Sequence, residues 1–239
     1  MEQLYQQEMV IPPSLGDAEG LLAYDRAFAL FMDVAAAHSE LLGNGVRSML
    51  DRGLFWLTVR SRGRFLRRPR IGEKVTLATW PEQPGKVRVD RSYQIVQQGE
   101  VLAAGKTEWT VLDLRTQRIT PLAHLFPPQL TYDLPSACPE RFAEVSRDYT
   151  DAETCAVYRV RSTDIDLGGH VNNAAYLRAL LGCFSAAEVK EMDIREIDLV
   201  FRAPCFEGDE LELRCRPTEQ GTDFAFLREG KPAFLARLR

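Results

Sequence analysis

Reactive side-chain types are concentrated in Thr163–Leu177, which reads T-D-I-D-L-G-G-H-V-N-N-A-A-Y-L. Asp166 and His170 are candidates for a base or nucleophile and its partner, because a carboxylate and an imidazole can activate water or attack a carbonyl carbon. Asn172 or Asn173 is a favourable N-cap for the apolar helical pattern that follows. The unpaired N–H groups of such a helix start can receive a developing negative charge. The stretch therefore predicts an acyl-transfer site.

Each of these residue types also has an ordinary structural role. A lone His170 would more often be a hydrogen-bonded structural histidine, and a lone Asn173 more often a cap, since helix starts are rich in Asp, Asn and Gly. The prediction of chemistry therefore depends on the complete string. Within it, the backbone amides near Gly169–Val171 are the predicted receptors of the oxyanion.

The chain contains an internal duplication. Phe65–Val75 aligns with Phe201–Leu211 at a constant offset, because 201 − 65 and 208 − 72 both equal 136. Upstream, Asp17-Ala-Glu-Gly20 aligns with Asp166-Leu-Gly-Gly169 at an offset of 149 (166 − 17). We assign the extra 13 residues (149 − 136) to a longer helix-to-strand connection in the first copy, around Leu42–Phe55.

Only the second copy keeps the polar side chains of the candidate site. The first copy has Leu21, Ala23 and Tyr24 at the positions that His170, Asn172 and Asn173 occupy in the second copy. We therefore expect one active site, supplied mainly by the second copy, and a first copy that shapes the substrate pocket.

Both copies show one helical pattern followed by antiparallel strands. The helices are predicted over Tyr24–Leu42 and Asn173–Lys190 from apolar residues near 3.6 spacing. Gln98-Gly99 and Glu229-Gly230 are matching hairpin signals. The predicted strands are Phe55–Arg60, Lys74–Trp80, Lys86–Gln97, Val101–Leu114, Ile197–Arg202, Glu210–Pro217, Thr222–Arg228 and Pro232–Leu238. The fold class is α+β, with a first domain over 1–125, a Pro-rich and polar linker over 126–150 and a second domain over 151–239.

Composition limits the function classes. A net charge of −4 gives no overall attraction to nucleic acid or to an anionic membrane. No apolar run approaches the ~18 residues of a spanning helix, and no signal peptide is evident, so a cytoplasmic protein is expected. Five cysteines at irregular spacings suit free thiols in a reducing compartment. Three scattered histidines and the lack of a Gly-rich phosphate loop predict neither a metal site nor a cofactor.

The string D-x-x-G-H-V-N-N-x-x-Y-L resembles the central-helix signature of hot-dog thioesterases. With Thr79-Trp80-Pro81 and Trp109-Thr-Val-Leu-Asp113 in the first copy, the chain resembles the acyl-acyl-carrier-protein thioesterases. This resemblance implies a tandem hot-dog fold and hydrolysis of fatty acyl thioesters on acyl carrier protein, in fatty acid biosynthesis. A homodimer is compatible with it. The alternatives are an acyl-CoA or aroyl-CoA thioesterase and a catalytically impaired module that binds acyl chains or the carrier.

The chain departs from the pattern of that family at two polar positions. Asp166 and His170 match the family's Asp and His, whereas Gly168 stands at the place of an Asn and Pro204 at the place of a Glu, beside Cys205. Three outcomes follow: a simpler mechanism based on Asp166, replacement of the missing amide by Asn172 or Asn173, or an impaired site. A positive φ at Gly168 would favour Asn among its replacements. Cys205 could be a nucleophile activated by His170, but we expect a buried packing residue.

A basic run in the first copy could bind an acidic partner. Arg60, Arg62 and Arg64 would share one face of a strand, and Arg67 and Arg68 follow. One interpretation is a solvated sheet face protected against aggregation. The other is a docking site for acyl carrier protein or for the phosphate of its pantetheine arm.

Overall fold

The computed structural model describes residues 2–239 and divides into two compact units, of which the first ends at Glu140 and the second is Arg141–Arg239. The division falls within the predicted linker 126–150, which consists of turns, bends and irregular chain. Among residues 2–239, no helix has the length and apolar character needed to cross a membrane.

The first unit is an antiparallel sheet with one long helix. Its strands lie in the order β1-β3-β4-β5-β2, and β6 pairs with β5. The elements are β1 Tyr5–Val10, α1 Tyr24–Leu41, α2 Val46–Asp51, β2 Leu54–Phe65, β3 Lys74–Pro81, β4 Val89–Gln97, β5 Glu100–Asp113 and β6 Arg118–Thr120. The short helix α2 lies in the connection to which the 13 extra residues were assigned.

Helix α1 packs closely on this sheet because the sheet presents glycines to it. A Cβ atom at Gly63 would lie 2.9 Å from Phe28, and one at Gly105 would lie 2.6 Å from Phe31. Phe31 also stacks on Tyr93 of β4, with ring centroids 4.9 Å apart. The predicted arrangement of a helix against an antiparallel sheet is confirmed in this unit.

The second unit repeats this architecture with a shorter helix. Its antiparallel strands lie in the order β8-β11-β10-β9-β7. Tyr176 of α3 stacks on Phe234 of β11, with ring centroids 4.9 Å apart. The elements are β7 Glu153–Arg159, α3 Asn173–Leu181, α4 Ala186–Glu191, β8 Glu196–Phe201, β9 Glu210–Thr218, β10 Gly221–Arg228 and β11 Lys231–Leu238.

The prediction of one helix over Asn173–Lys190 is wrong. Helix α3 ends at Leu181, and α4 begins after Ser185. Ser185 Oγ accepts from the amide of Glu188, and the Glu188 carboxylate accepts from the amide of Ser185. This reciprocal cap satisfies N–H groups at a new helix start, so it favours a break over continuation.

All eight predicted strands are present, with ends shifted by up to five residues; β1, β6 and β7 were not predicted. Both predicted hairpins are confirmed. Gln98 and Gly99 have φ of 50° and 86°, and Glu229 and Gly230 have φ of 52° and 74°. Two consecutive positive φ values are the signature of the turn that best matches strand twist.

The predicted linker is anchored to each unit by specific hydrogen bonds. In the first unit, the amide of Ala137 donates to Ser92 Oγ, and Lys106 Nζ donates to the carbonyl oxygen of Glu140. In the second unit, the buried carboxylates of Asp198 and Asp223 accept from the amides of Ala143 and Ser146. The segment is therefore part of both units.

Two of the five cysteines form a disulfide. Cys155 in β7 is bonded to Cys215 in the neighbouring strand β9, whereas Cys138, Cys183 and Cys205 are free. The expectation of five free thiols is wrong for this pair, because antiparallel pairing brings together residues that are 60 positions apart in the sequence. A cytoplasmic location stays a prediction.

Candidate active site

The Asp166–His170 string forms a closed loop between a 3₁₀ turn at Ser162–Asp164 and the start of α3. The amide of Asp166 donates to the carbonyl oxygen of His170 at 3.0 Å, and the amide of Gly169 donates to that of Asp166 at 3.0 Å. Gly169 has a φ of 75°, a conformation that strains any residue with a Cβ atom. Local sequence therefore determines the loop.

The loop brings Asp166 and His170 together, as predicted. Asp166 Oδ1 lies 3.9 Å from His170 Nδ1, and the two side chains are 30% and 28% exposed. The same Oδ1 atom accepts from the amide of Gly168 at 2.8 Å. The distance to the imidazole is longer than a hydrogen bond, as is common for catalytic contacts before substrate binds. Substrate and water can reach both groups.

Gly168 provides the space for this imidazole. A Cβ atom at residue 168 would lie 2.8 Å from His170 Nε2 and 3.1 Å from Asp166 Oδ1. The positive φ belongs to Gly169 rather than Gly168, so the expectation for Gly168 is wrong. A side chain at residue 168 would displace the His170 imidazole, whereas the backbone conformation there does not call for glycine.

Two of the amides in the predicted oxyanion range Gly169–Val171 are already bonded within the protein. The amide of Gly169 donates to the carbonyl oxygen of Asp166, and that of Val171 donates to the carbonyl oxygen of Cys205 at 2.9 Å. Within residues 2–239, the amides of His170 and Asn173 have no hydrogen-bond acceptor. Asn173 is the first residue of α3, where helix geometry leaves the N–H group unpaired. These two amides are the donors available to an oxyanion.

Asn172 acts as the N-cap of α3. Its Oδ1 atom accepts from the amide of Ala174 at 2.9 Å, and its own amide donates to the carbonyl oxygen of Asp164 at 2.8 Å. The oxygen of this side chain is therefore committed to the helix. Asn173 remains the asparagine that could supply an amide to substrate.

At the position of the family's Glu, Pro204 supplies no carboxylate to the site. The carbonyl oxygen of Pro204 accepts from Arg228 Nη1 at 2.7 Å. Cys205 is fully buried, and burial raises the pKa of its thiol although Tyr176 acts in the opposite direction. A buried thiol with a raised pKa fits packing rather than nucleophilic attack.

The first copy has the same loop backbone with its carboxylate neutralised. The amide of Asp17 donates to the carbonyl oxygen of Leu21 at 2.8 Å, and Gly20 has a φ of 70°. Arg68 forms an ion pair with Asp17, and its guanidinium lies 4.3 Å from the centre of the Tyr24 ring. Burial raises the pKa of Asp17, but Arg68 and the nearby amides outweigh it, and the net pKa is lowered. Arg68 aligns with Pro204 (204 − 68 = 136). The arginine that neutralises the loop carboxylate in the first copy is therefore replaced by a proline in the second copy.

Fewer arginines of the basic run are available to a binding partner than the sequence suggests. Arg62 is buried and Arg68 is held by Asp17, so their placement does not favour carrier binding by these two residues, which stays a prediction. Arg60, Arg64 and Arg67 have side chains that are 39%, 49% and 43% exposed and form ion pairs with Glu108, Glu140 and Glu73.

Sequence reasoning missed a buried carboxylate directly before the loop. Asp164 accepts from Tyr158 Oη at 2.7 Å, from the amide of Arg161 at 2.8 Å and from Arg178 Nη2 at 2.7 Å. Burial raises the pKa of Asp164, but these donors outweigh it and the net pKa is lowered. Burial and Asp164 raise the pKa of Tyr158 to about 12. The signal in the sequence was the first of the two carboxylates in T-D-I-D.

Two family models together match most of the chain. The family model of the acyl-ACP thioesterase N-terminal domain matches residues 2–126, and that of the acyl-ACP thioesterase C-terminal domain matches residues 147–230. The chain belongs to the acyl-ACP thioesterase family. Within the described residues, no group of three or more His, Cys, Asp or Glu side chains is arranged to hold a metal ion.

Individual relatives are distant in sequence. The chain is 25% identical to the palmitoyl-acyl carrier protein thioesterase of Arabidopsis thaliana, over 69% of this chain and 42% of the relative. It is 22% identical to oleoyl-acyl carrier protein thioesterase 1 of the same plant, over 80% of this chain and 58% of the relative. The chain thus spans about half the length of these curated relatives.

Solved structures of this family show the same fold. An acyl-ACP thioesterase of Bacteroides thetaiotaomicron aligns with a TM-score of 0.90 at 20% identity, over 99% of this chain and 97% of that one. The 12:0-ACP thioesterase of Umbellularia californica aligns with a TM-score of 0.78 at 16% identity, over 99% and 96% of the two chains. The tandem hot-dog fold is confirmed.

Proposed function

We propose that this protein hydrolyses fatty acyl thioesters carried by acyl carrier protein, releasing the fatty acid and the carrier during fatty acid biosynthesis. The observation that carries the proposal is the Asp166–His170 pair, held at the start of α3 in the second unit and accessible to solvent. Membership of the acyl-ACP thioesterase family supports the choice of substrate.

Asp166 activates water or attacks the thioester carbonyl carbon itself. In the first route, the carboxylate takes a proton from water as the oxygen adds to the carbonyl carbon. The C–S bond then breaks, and the proton passes to the thiolate of the carrier. In the second route, a mixed anhydride forms on Asp166 as the thiol leaves, and water hydrolyses that anhydride. His170 positions Asp166 or the leaving thiolate in both routes.

The amides of His170 and Asn173 stabilise the oxyanion. Both N–H groups have no acceptor within the described residues, and the helix terminus adds a favourable dipole. We assign the Asn173 side-chain amide as a further donor, since the Asn172 side-chain oxygen caps α3. This arrangement needs neither the Asn nor the Glu that Gly168 and Pro204 replace.

Acyl carrier protein is the proposed partner. The exposed arginines Arg60, Arg64 and Arg67 of the first unit could exchange their ion pairs with Glu108, Glu140 and Glu73 for the acidic surface of a carrier. Such exchange costs little, because exposed ion pairs contribute only about 0–1 kcal/mol.

Thiol release from acyl thioesters tests the proposal directly. The purified protein is assayed with acyl groups of several lengths on acyl carrier protein and on CoA, with the appearance of free thiol as the readout. We expect hydrolysis with a higher kcat/KM for the carrier-linked series. A preference for CoA esters would support an acyl-CoA thioesterase. Tight carrier binding without hydrolysis would support the impaired binding module, which the missing carboxylate at Pro204 favours.

A further inference from the structure

A hydrogen-bonded cluster of three side chains, of which only Asp164 is buried, lies next to the reactive loop. Its centre is Asp164, which is 3% exposed and belongs to the 3₁₀ turn before the loop. Tyr158 reaches it from β7 and Arg178 from α3, each at 2.7 Å. Three elements of the second unit therefore meet at one carboxylate.

The cluster lies at the points where the loop begins and ends. The carbonyl oxygen of Asp164 accepts from the amide of Asn172, the N-cap of α3, at 2.8 Å. Arg178 Nη2 also lies 3.4 Å from the carbonyl oxygen of Thr163, so it contacts the entry of the loop from the second turn of α3. Any rotation of α3 relative to the loop would have to break these contacts. The distance from Asp166 to the amide of Asn173 depends on that rotation.

The first copy lacks the cluster altogether. At the offset of 149, Tyr158, Asp164 and Arg178 correspond to Met9, Leu15 and Ala29 (158 − 149, 164 − 149 and 178 − 149). These three residues lie in β1, in the 3₁₀ turn Pro13–Leu15 and in α1, which are the matching elements. The loop of the first copy nevertheless has the same backbone hydrogen bonds and the same positive φ at its glycine. The loop therefore folds without the cluster.

Folding of the loop thus does not explain the cluster. Burying the Asp164 carboxylate carries a desolvation cost that an apolar group such as Leu15 avoids. At these three positions, the ion pair is present only in the copy that holds the Asp166–His170 pair. What an ion pair adds over an apolar contact is directional restraint, because each hydrogen bond fixes an orientation as well as a separation.

We propose that Asp164, with Tyr158 and Arg178, positions the reactive loop against the N-terminus of α3. The cluster holds Asp166 and the unpaired amides of His170 and Asn173 at the separation that the transition state requires. Asp164 itself does not touch substrate, since all its donors come from the protein. The proposal rests on the thioesterase function proposed above.

Kinetics of isosteric variants test this role. Tyr158→Phe removes one hydroxyl group, Asp164→Asn removes the charge, and Arg178→Met removes the guanidinium while keeping a long side chain. We expect kcat on an acyl-carrier thioester to fall by about 10-fold to ~10²-fold with KM little changed, the scale of small displacements in a catalytic site. Arg178→Lys should recover part of the loss, because a cation at that position can still contact Asp164.

The matched control is Asp223→Asn, which removes another buried carboxylate of the same unit. Asp223 is 1% exposed, pairs with Arg237 and contacts no residue of the loop. The control should lose thermal stability and keep kcat. If Asp164→Asn does not fold, Tyr158→Phe and Arg178→Met decide the question.

The outcomes separate the two proposals. A wild type that hydrolyses no acyl thioester would contradict the thioesterase function itself. An active wild type with folded Tyr158→Phe and Arg178→Met variants of unchanged kcat would overturn the positioning role alone. A loss of kcat in Arg178→Met that Arg178→Lys partly restores, with kcat kept in Asp223→Asn, would establish it.

Discussion

His170 Nε2 would lie only 2.8 Å from a Cβ atom at residue 168, so the imidazole occupies its place beside Asp166 because residue 168 is glycine. Gly168 removes the amide that the family pattern has at this position. In the structure it is also a condition for the geometry of the remaining pair. The proposed hydrolysis therefore depends on fewer polar groups than the family pattern provides.

Asp166→Asn should abolish most hydrolysis, since an amide keeps the shape of the carboxylate but cannot act as base or nucleophile. The expected fall in kcat is on the order of 10²-fold or more. The control is Asp17→Asn, which changes the equivalent residue of the first copy, where Arg68 already neutralises the carboxylate. Steady-state kinetics on a folded Asp166→Asn protein with wild-type turnover would contradict the assignment.

Gly168→Ala should lower kcat with little change in the free energy of unfolding. The added methyl group displaces the His170 ring, whereas the φ of residue 168 suits alanine. We expect a decrease of about ten-fold, because small misplacements in a catalytic pair are costly. Gly20→Ala in the first copy is the comparison: it forces a positive φ of 70° on alanine and should cost roughly 1–2 kcal/mol of stability without changing kcat. The reverse pattern would assign Gly168 a purely structural role.

Cys205→Ser should retain most of the activity. The thiol is buried and its pKa is raised by burial, so little thiolate exists to attack a thioester. Mass spectrometry after a single turnover should find no acyl adduct on Cys205. An inactive but folded Cys205→Ser protein would restore a Cys–His mechanism.

Reduction of the Cys155–Cys215 disulfide should destabilise the second unit. The bond closes a loop of 60 residues, for which loss of the cross-link typically costs about 2–4 kcal/mol. Thermal unfolding with and without a reductant measures the effect, and Cys155→Ser should unfold at the same temperature in both conditions. Cys183→Ser, which leaves the disulfide in place, should keep the response to reductant. No response in the wild type would show that the two thiols are not joined.

Stability should depend on pH through His38. Its Nδ1 accepts from the buried Arg91, and its Nε2 donates to the carbonyl oxygen of Glu2, so the folded protein holds the neutral ring. Burial and Arg91 lower the pKa of His38 to about 4 from 6.5. Since the unfolded chain binds the proton first, this contribution is fully present above pH 6.5 and is lost as pH falls towards 4.

The size of that effect is on the order of 3 kcal/mol, and His38→Gln should remove it while keeping an acceptor and a donor. Asp90 acts in the opposite direction, because burial raises its pKa to about 6 and its contribution is lost as pH rises from 3.8 to 6. Melting temperatures of wild type and His38→Gln between pH 4 and 7 isolate the histidine. Parallel curves would contradict the assignment.

The repeat and the reactive loop could be predicted because their determinants are local. A constant offset, the Gly-Gly pair and the Asn172 cap are all visible in sequence, and each has one main structural consequence. The break between α3 and α4 was also encoded locally, in Ser185 and Glu188. It was missed because the apolar pattern continues past it.

The remaining features depend on which strands and segments meet in space. Cys155 meets Cys215, and Tyr158 and Arg178 meet Asp164, only after the second unit has formed. Arg62 and Arg64 alternate along β2 as expected, but Arg62 is buried and Arg64 pairs with Glu140 of the linker. Periodicity identifies a face of a strand without showing what covers that face.

The anchored linker determines how this chain can be divided into fragments. Boundaries at 125 and 151, which composition suggests, would remove the backbone groups that Ser92, Lys106, Asp198 and Asp223 bind. Asp198 and Asp223 would then lose N–H donors to side chains that are 1% exposed in the intact protein. A cut between Glu140 and Arg141 leaves each piece with its own stretch of linker. Expression of the halves, domain exchange with relatives and insertion of a protease site should all use that peptide bond.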